Sequence, residues 1–164
     1  MVPLMKSGWR FWWLMLLVLV IDQASKQAVI AQMQLFDTIE LLPFFNLTYV
    51  RNTGAAFSFL SDAGGWQRWL FTLIAVLVSV AIAVWLRRLP GSQTKLSLAL
   101  CLVLAGAVGN LIDRALYGYV IDFFHLYYQN WHYPAFNVAD SAICIGAVLL
   151  IWDSFSSKPE AKHD

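Results

Sequence analysis

Two aspartates stand out in a chain that is otherwise strongly apolar: Asp122, in Gly118-Tyr-Val-Ile-Asp-Phe-Phe124, and Asp140, in Phe136-Asn-Val-Ala-Asp-Ser141. Two carboxylates brought together in a low-dielectric site repel, so one pKa rises and the pair shares a proton. The ionised member then takes a proton from water while the protonated one polarises a carbonyl, which is the chemistry of amide hydrolysis. Other charges also lie within apolar stretches. Asp22 and Lys26 are four residues apart with the acid first, the favourable order for an ion pair on one helix face. Asp113 is expected to pair with Arg114 or another basic group. With Lys26 and Arg114 so assigned, no spare basic residue remains for Asp122 and Asp140. The first group therefore reads as structural bracing and the second as a catalytic pair.

Other nucleophile schemes fit less well. The chain has no Gly-x-Ser-x-Gly and no His-Glu-x-x-His. His125, His132 and His163 lack metal-ligand spacing, and an interfacial structural role suits the first two better. Ser25 beside Lys26 makes no dyad, because adjacent helical residues do not face each other. Cys101 and Cys144 sit in apolar runs outside any Cys-x-x-Cys or Cys/His cluster and read as small buried hydrophobes. No metal and no cofactor is expected.

The elements that must position these groups are membrane helices. Hydrophobic residues make up 60% of the 164 residues and charged residues 13%, against about 45–50% and ~25% in soluble domains. The net charge of +1 and the absence of a Lys/Arg tract exclude nucleic acid as a partner. Four spans are expected, at about 10–30, 69–86, 96–114 and 136–153, in a single domain covering 1–164. Trp69–Leu86 is an uncharged run of 18 residues, about 27 Å of helix against a hydrocarbon layer of ~30 Å. The first span also resembles a secretory leader, with Val29-Ile30-Ala31 as a cleavage site. It reads better as a retained helix, because Asp22, Gln23, Ser25 and Lys26 follow without a breaker and apolar spacing then resumes.

Between the spans, 31–68 is expected to be a small β-rich lobe without an independent core. Phe45–Val50 alternates as a half-buried strand, Asn52-Thr-Gly54 reads as a turn, and Gly64-Gly65 breaks the chain before interfacial Trp66 and Trp69. The segment 115–135 is expected to be a loop on the same side. Lys6, Arg10, Arg87, Arg88, Lys95, Lys158 and Lys162 fall on one side of the membrane, and Lys26, Arg51, Arg68 and Arg114 on the other. That bias puts both termini in the cytoplasm and the lobe outside. The in-membrane polar groups then gather near the outer face. Gly106, Asn110, Asp113 and Arg114 share one face of the third span, and Asn137, Asp140, Ser141 and Cys144 one face of the fourth. Gly106 and Gly109 allow another backbone to approach.

These residues carry a resemblance. Asp22-Gln-Ala-Ser-Lys26, Val50-Arg-Asn-Thr-Gly-Ala-Ala-Phe-Ser58, Gly106-Ala-Val-Gly-Asn-Leu-Ile-Asp-Arg114, Val120-Ile-Asp-Phe123 and Phe136-Asn-Val-Ala-Asp-Ser141 resemble, in order, the motifs of the bacterial lipoprotein signal peptidases (signal peptidase II). The resemblance runs from about residue 10 to 154. It implies a four-helix aspartic endopeptidase of the bacterial inner membrane with an outward β-rich cradle. The substrate would be a diacylglyceryl-modified prolipoprotein, cut just before the lipidated cysteine. Asp122 and Asp140 match the catalytic dyad. Asn52, Gly54, Asn110, Arg114, Asn137 and Ala139 match substrate-binding positions, and Asp22, Lys26, Asp113 and Ser141 supporting ones. Membrane lipids and globomycin-type cyclic peptide antibiotics are the other implied partners. A lateral groove would take the acyl chains, at about 0.8 kcal/mol per buried CH₂. An extended peptide would pair with the strand edge near Tyr49–Thr53. A proton-coupled transporter and a non-catalytic scaffold are the rivals; a relay would need polar steps through the whole membrane depth.

Overall fold

The apolar runs form four helices long and apolar enough to cross a membrane. The computed structural model describes residues 6–54 and 65–156. In chain order, a 3-10 turn at Gly8–Phe11 leads into α1 (Trp12–Gln32), then β1 (Thr38–Leu42), β2 (Phe45–Asn52), α2 (Trp66–Arg88), α3 (Thr94–Leu116), β3 (Val120–Tyr128), β4 (Trp131–His132) and α4 (Val138–Ser156). Four spans and a small antiparallel sheet are the architecture expected from the sequence. Gly64, half of the expected Gly64-Gly65 break, Ala55–Ser58 of the second motif, and the basic residues of the tail lie outside the described residues.

The spans differ in surroundings. Just over half of α3 (56%) is buried, against 17% of each of the others. α3 packs against α1, α2 and α4, which makes it the most enclosed of the four described spans. Its closest neighbour is α4. A Cβ on Gly106 would collide with the Ala139 carbonyl oxygen, and one on Gly109 would stand 2.6 Å from an Asp22 carboxylate oxygen. The two glycines therefore bring α4 and the acid of α1 against the α3 backbone, as small residues do between membrane helices. Away from the sheet, Ile82, Leu86, Leu89, Leu100, Cys101 and Leu104 make an apolar core.

The sheet caps the other end, ordered β1-β2-β3-β4 and antiparallel throughout. The loop expected over 115–135 is corrected: it holds β3 and β4. No alternation betrays β3, because Val120–Phe123 are all buried. Ile121 and Phe123 pack on Val29, Met33 and Tyr49, while Val120 and Asp122 face a cavity on the other side. β2 departs from alternation for another reason. Its register against β3 shifts between Leu47 and Val50, so its buried residues are Asn46 and Tyr49. A bulge of this kind re-aims the residues after it, and here it sets Val50 opposite Asp122 and Asn52 opposite Val120.

The strand edge expected near Tyr49–Thr53 is already occupied at Tyr49. The Tyr49 carbonyl accepts from Phe36 N at 2.9 Å and its N–H donates to Asp37 O at 3.1 Å. On the other side, Val50–Asn52 are paired with β3. An incoming peptide finds no open ladder at Tyr49.

Candidate active site

Two sets of carboxyl groups meet where α1, α3, α4 and the sheet converge. The deeper set is compensated. Lys26 Nζ lies 2.9 Å from Asp22 Oδ2 and 2.9 Å from Asp113 Oδ2, and donates to Asn110 Oδ1 at 3.0 Å. All three charged residues are fully buried. Isolated charges there would be costly, but two acids around one ammonium with further hydrogen bonds are satisfied. Each acid also holds a neighbouring element. Asp22 Oδ1 accepts from Ala139 N at 2.9 Å, at the start of α4, and Asp113 Oδ2 accepts from Ile121 N at 3.1 Å, in β3. Gln23, which the sequence did not single out, donates to Asp22, Asp113 and the Gly109 carbonyl at 3.0–3.2 Å.

Asp113 thus pairs with Lys26 and not with Arg114. Neighbouring side chains on a helix diverge, so both cannot point the same way. Arg114 is consequently not spent on Asp113. Its guanidinium donates to the Gly54 carbonyl at 3.2 Å, stands 5.8 Å from the Phe71 ring, and lines the same cavity as Asp122 and Asp140.

Those two acids form the second set, held by neutral amides. Asp122 Oδ1 accepts from Asn137 Nδ2 at 2.7 Å, and Oδ2 from Asn52 Nδ2 at 3.0 Å. Asp140 Oδ1 accepts from Asn110 Nδ2 at 2.7 Å. Asn137 and Asp140 form a reciprocal cap on α4: Asp140 N donates to Asn137 Oδ1 at 2.8 Å, and Asn137 N donates to Asp140 Oδ2 at 3.3 Å. This is the capping-box arrangement, with Asn and Asp in place of the usual Ser/Thr and Glu. The spacing Asn137-x-x-Asp140 was the signal available for it. Asn137 therefore bonds both carboxyls, Asp122 through its side-chain amide and Asp140 through its backbone N–H, and its Nδ2 also reaches Ile121 O and Asn110 Oδ1 at 3.2 Å each.

Asp122 is 2% exposed. Burial first, and then the charge of Asp140, raises its carboxyl from the usual range to about 7, against the pull of the Asn52 bond, the Lys26 charge and the Asn137 bond. Among the described residues neither Asp122 nor Asp140 has an ion-pair partner within 4 Å.

Both acids open on a cavity of about 1040 Å³. Asn52, Asn110, Arg114 and Ser141 line its polar end; Ile74, Ala75, Val78, Ile143 and Ile145 make its apolar walls. α2 packs along α3 but not along α4, which leaves the cavity open sideways between them. Among the substrate-facing expectations, Asn52, Asn110 and Arg114 are on the wall, and Gly54 takes part through its carbonyl. Asn137 lies behind the wall, bonded to both acids. Ala139 is fully buried and packed on Gly106 and Gly109, away from the wall. Ser141 donates to Asn137 O at 2.9 Å and so braces the cap. Cys144 is exposed on the wall and not buried as expected, whereas Cys101 is buried. His125 and His132 stack at 5.2 Å beside the wall.

The arrangement of two coupled carboxyls, a nearby guanidinium and an apolar lateral opening suits hydrolysis of a peptide presented from a membrane. Comparison with known proteins points the same way. A family model described as signal peptidase (SPase) II matches residues 14–156. A lipoprotein signal peptidase of Shewanella sp. (strain MR-4) is 62% identical over 155 residues, covering 94% of this chain and 91% of its own. One from Shewanella halifaxensis (strain HAW-EB4) is 58% identical over 159 residues, covering 96% and 94%. A solved structure described as a bacterial membrane enzyme, obtained by the in meso method at 2.3 Å resolution, superposes with a TM-score of 0.79 at 31% identity, covering 92% of this chain and 90% of that one.

Proposed function

Because the chain belongs to the signal peptidase II family, we propose that it is an aspartic endopeptidase that removes signal peptides from lipoproteins, with Asp122 and Asp140 as its catalytic pair. One observation carries the assignment of the pair: Asn137 bonds both carboxyls, Asp122 through its side-chain amide and Asp140 through its backbone N–H, and the two face one cavity with no bonded cation among the described residues.

The geometry supports a division of labour. Asp140 lies in the first turn of α4 and accepts from Asn110 Nδ2 and Asn137 N, and a helix N-terminus favours negative charge. Asp140 is the ionised member. Asp122, with its carboxyl raised to about 7, is the protonated one. Asp140 takes a proton from water as the oxygen attacks the scissile carbonyl carbon, and Asp122 gives its proton to the carbonyl oxygen. The tetrahedral intermediate collapses as its hydroxyl returns a proton to Asp122. Asp140 passes its proton to the leaving nitrogen, the C–N bond breaks, and both carboxyls regain their starting states. Arg114 supplies positive charge beside the oxygen that gains electron density.

The substrate we propose is a diacylglyceryl-modified prolipoprotein cut just before the lipidated cysteine. Its acyl chains enter through the apolar gap between α2 and α4, and globomycin-type cyclic peptides occupy the same cavity. We also propose that the termini are cytoplasmic and the sheet end outward, because Lys6, Arg10, Arg87, Arg88 and Lys95 gather at the opposite end. External thiol labelling in a Cys144→Ser background is expected to reach Glu40→Cys and spare Ser92→Cys; the reverse pattern overturns this orientation. The catalytic reading is tested by incubating detergent-solubilised enzyme with a lipidated prolipoprotein and mapping the products by mass. Cleavage before the lipidated cysteine is expected, and cleavage elsewhere refutes the substrate assignment.

A further inference from the structure

Away from the sheet the cavity narrows to a trough. α2 and α4 are its walls and α3 its back, since α2 packs along α3 but not along α4. The α3 residues that face it are Arg114, Asn110 and Ala107, three and four positions apart and so on one helix face. Along α3 the trough therefore ends seven residues, or about 10 Å, below Arg114. α2 gives the same depth: its wall runs from Phe71, beside the Arg114 guanidinium, to Val78, again about 10 Å. Along α4 the wall runs from Asp140 to Ile145, about 8 Å. Three helices of alternating direction agree on one lower limit.

Packing explains where it stops. One turn below Ala107, on the same face of α3, stands Val103, which is off the cavity wall. Val103 packs against the apolar core of Ile82, Leu86, Leu100 and Leu104. A Cβ on Gly146 would stand 2.6 Å from its Cγ2, so α4 lies directly against it. The trough is thus closed at its base and open upward, to the two acids, and sideways, to lipid. A helix that crosses ~30 Å of hydrocarbon cannot end on a base about 10 Å down. A flexible acyl chain can fill the trough and then turn out through the open side.

We propose that the trough is an acyl-chain site of fixed depth: it grips the first carbons of the substrate's acyl chain, while the carbons beyond leave sideways into the bilayer and are not read. Ala107 and Val78, the lowest residues on α3 and α2, then determine specificity for chain length. The inference rests on the lipidated substrate proposed above. An extended chain advances about 1.2 Å per bond, so a depth of about 10 Å takes about eight carbons. Moving a chain from lipid into the trough brings no hydrophobic gain, because lipid tails are as apolar as the walls. What the trough adds is close packing and a fixed position for the cysteine that carries the chain, and a fixed position at the scissile bond is worth rate.

The test is kcat/KM in detergent micelles for a series of prolipoproteins whose cysteine carries a diacylglyceryl group with chains of two, four, eight, twelve or sixteen carbons. The signal peptide holds every member in the micelle, so partitioning does not mask the effect of chain length. The wild type is expected to gain about tenfold from two carbons to eight and to stay within about twofold from eight to sixteen. Ala107→Phe fills the base from α3, and Val78→Trp fills it from α2. Each is expected to lower the ratio of the eight-carbon to the two-carbon kcat/KM about tenfold, while eight and sixteen carbons remain alike. A wild-type profile that is flat from two carbons, or that keeps rising to sixteen, overturns the inference and leaves the peptidase reading standing. So do variants that slow every chain length equally. If Ala107→Phe does not fold, an unchanged ratio in Val78→Trp overturns the inference on its own. An unlipidated prolipoprotein cleaved as fast as the sixteen-carbon member overturns the substrate assignment and the inference together.

Discussion

Four acids sit within one cluster, three of them buried and Asp140 half-buried, and they are treated in opposite ways. Asp22 and Asp113 share Lys26 at 2.9 Å each. They are closed off from the cavity and use their remaining lone pairs to hold the starts of α4 and β3. Among the described residues Asp122 and Asp140 have only amide donors, from Asn52, Asn110 and Asn137, and they face open space. Amide donors orient a carboxylate without cancelling its charge, so the second pair keeps its mutual repulsion and its appetite for a proton. Compensation makes the first pair a frame. The absence of compensation is what suits the second to the chemistry proposed for it.

The comparison breaks most visibly at Lys26. Lys26→Met leaves two acids in a fully buried site without their cation, and loss of one partner from a buried pair costs about 3–5 kcal/mol. Unfolding of the purified variant in detergent is expected to show that loss near neutral pH. A change under about 1 kcal/mol contradicts the bracing role.

A smaller effect is expected at Arg114. Arg114→Ala removes positive charge and the hold on the Gly54 carbonyl, and kcat is expected to drop about 10- to 100-fold with little change in unfolding. Arg68 is a fair control: it donates to the Ala115 carbonyl at 3.5 Å and lies 5.1 Å from the Trp69 ring, off the cavity wall. Equal losses in Arg114→Ala and Arg68→Ala remove Arg114 from the site.

The smallest effect has the opposite sign. The folded-state pKa of Asp122, about 7, lies above its unfolded value of ~3.9. The folded state therefore holds this proton more tightly, and its stability falls as pH rises between those values. Asp122→Asn lifts that penalty. Its thermal midpoint is expected to exceed that of the wild type by a few degrees at pH 8 and to match it near pH 4, at about 2–4 °C per kcal/mol. Lower stability of Asp122→Asn at pH 8 places Asp122 with the frame.

The sequence revealed the two sets but not how they are connected. Both acids of the proposed dyad stood out because an ionisable group in an apolar chain needs a reason, and the four spans because uncharged runs of that length have few other uses. The Asp22–Lys26 pair followed from helix spacing. The role of Lys26 as cation to Asp113 did not, because it depends on which way α1 and α3 face each other. β3 escaped notice because it is buried on both faces and shows no alternation, and Cys144 was misplaced because an apolar run does not distinguish core from cavity wall. Ala139 matched a substrate-binding motif position, yet α3 packs so closely at Gly106 and Gly109 that it lies in the helix contact. The Asn137 cap was readable from its spacing to Asp140, although its reach to Asp122 depends on how β3 folds over α4.

One measurement addresses the distinction between frame and chemistry directly: the turnover of a lipidated prolipoprotein by Asp122→Asn and by Asp140→Asn, each shown to be folded by its unfolding curve. Each variant is expected to lose at least about 10³-fold in kcat while unfolding no more easily than the wild type at pH 8. Wild-type turnover by either folded variant contradicts the assignment of Asp122 and Asp140 as the catalytic pair.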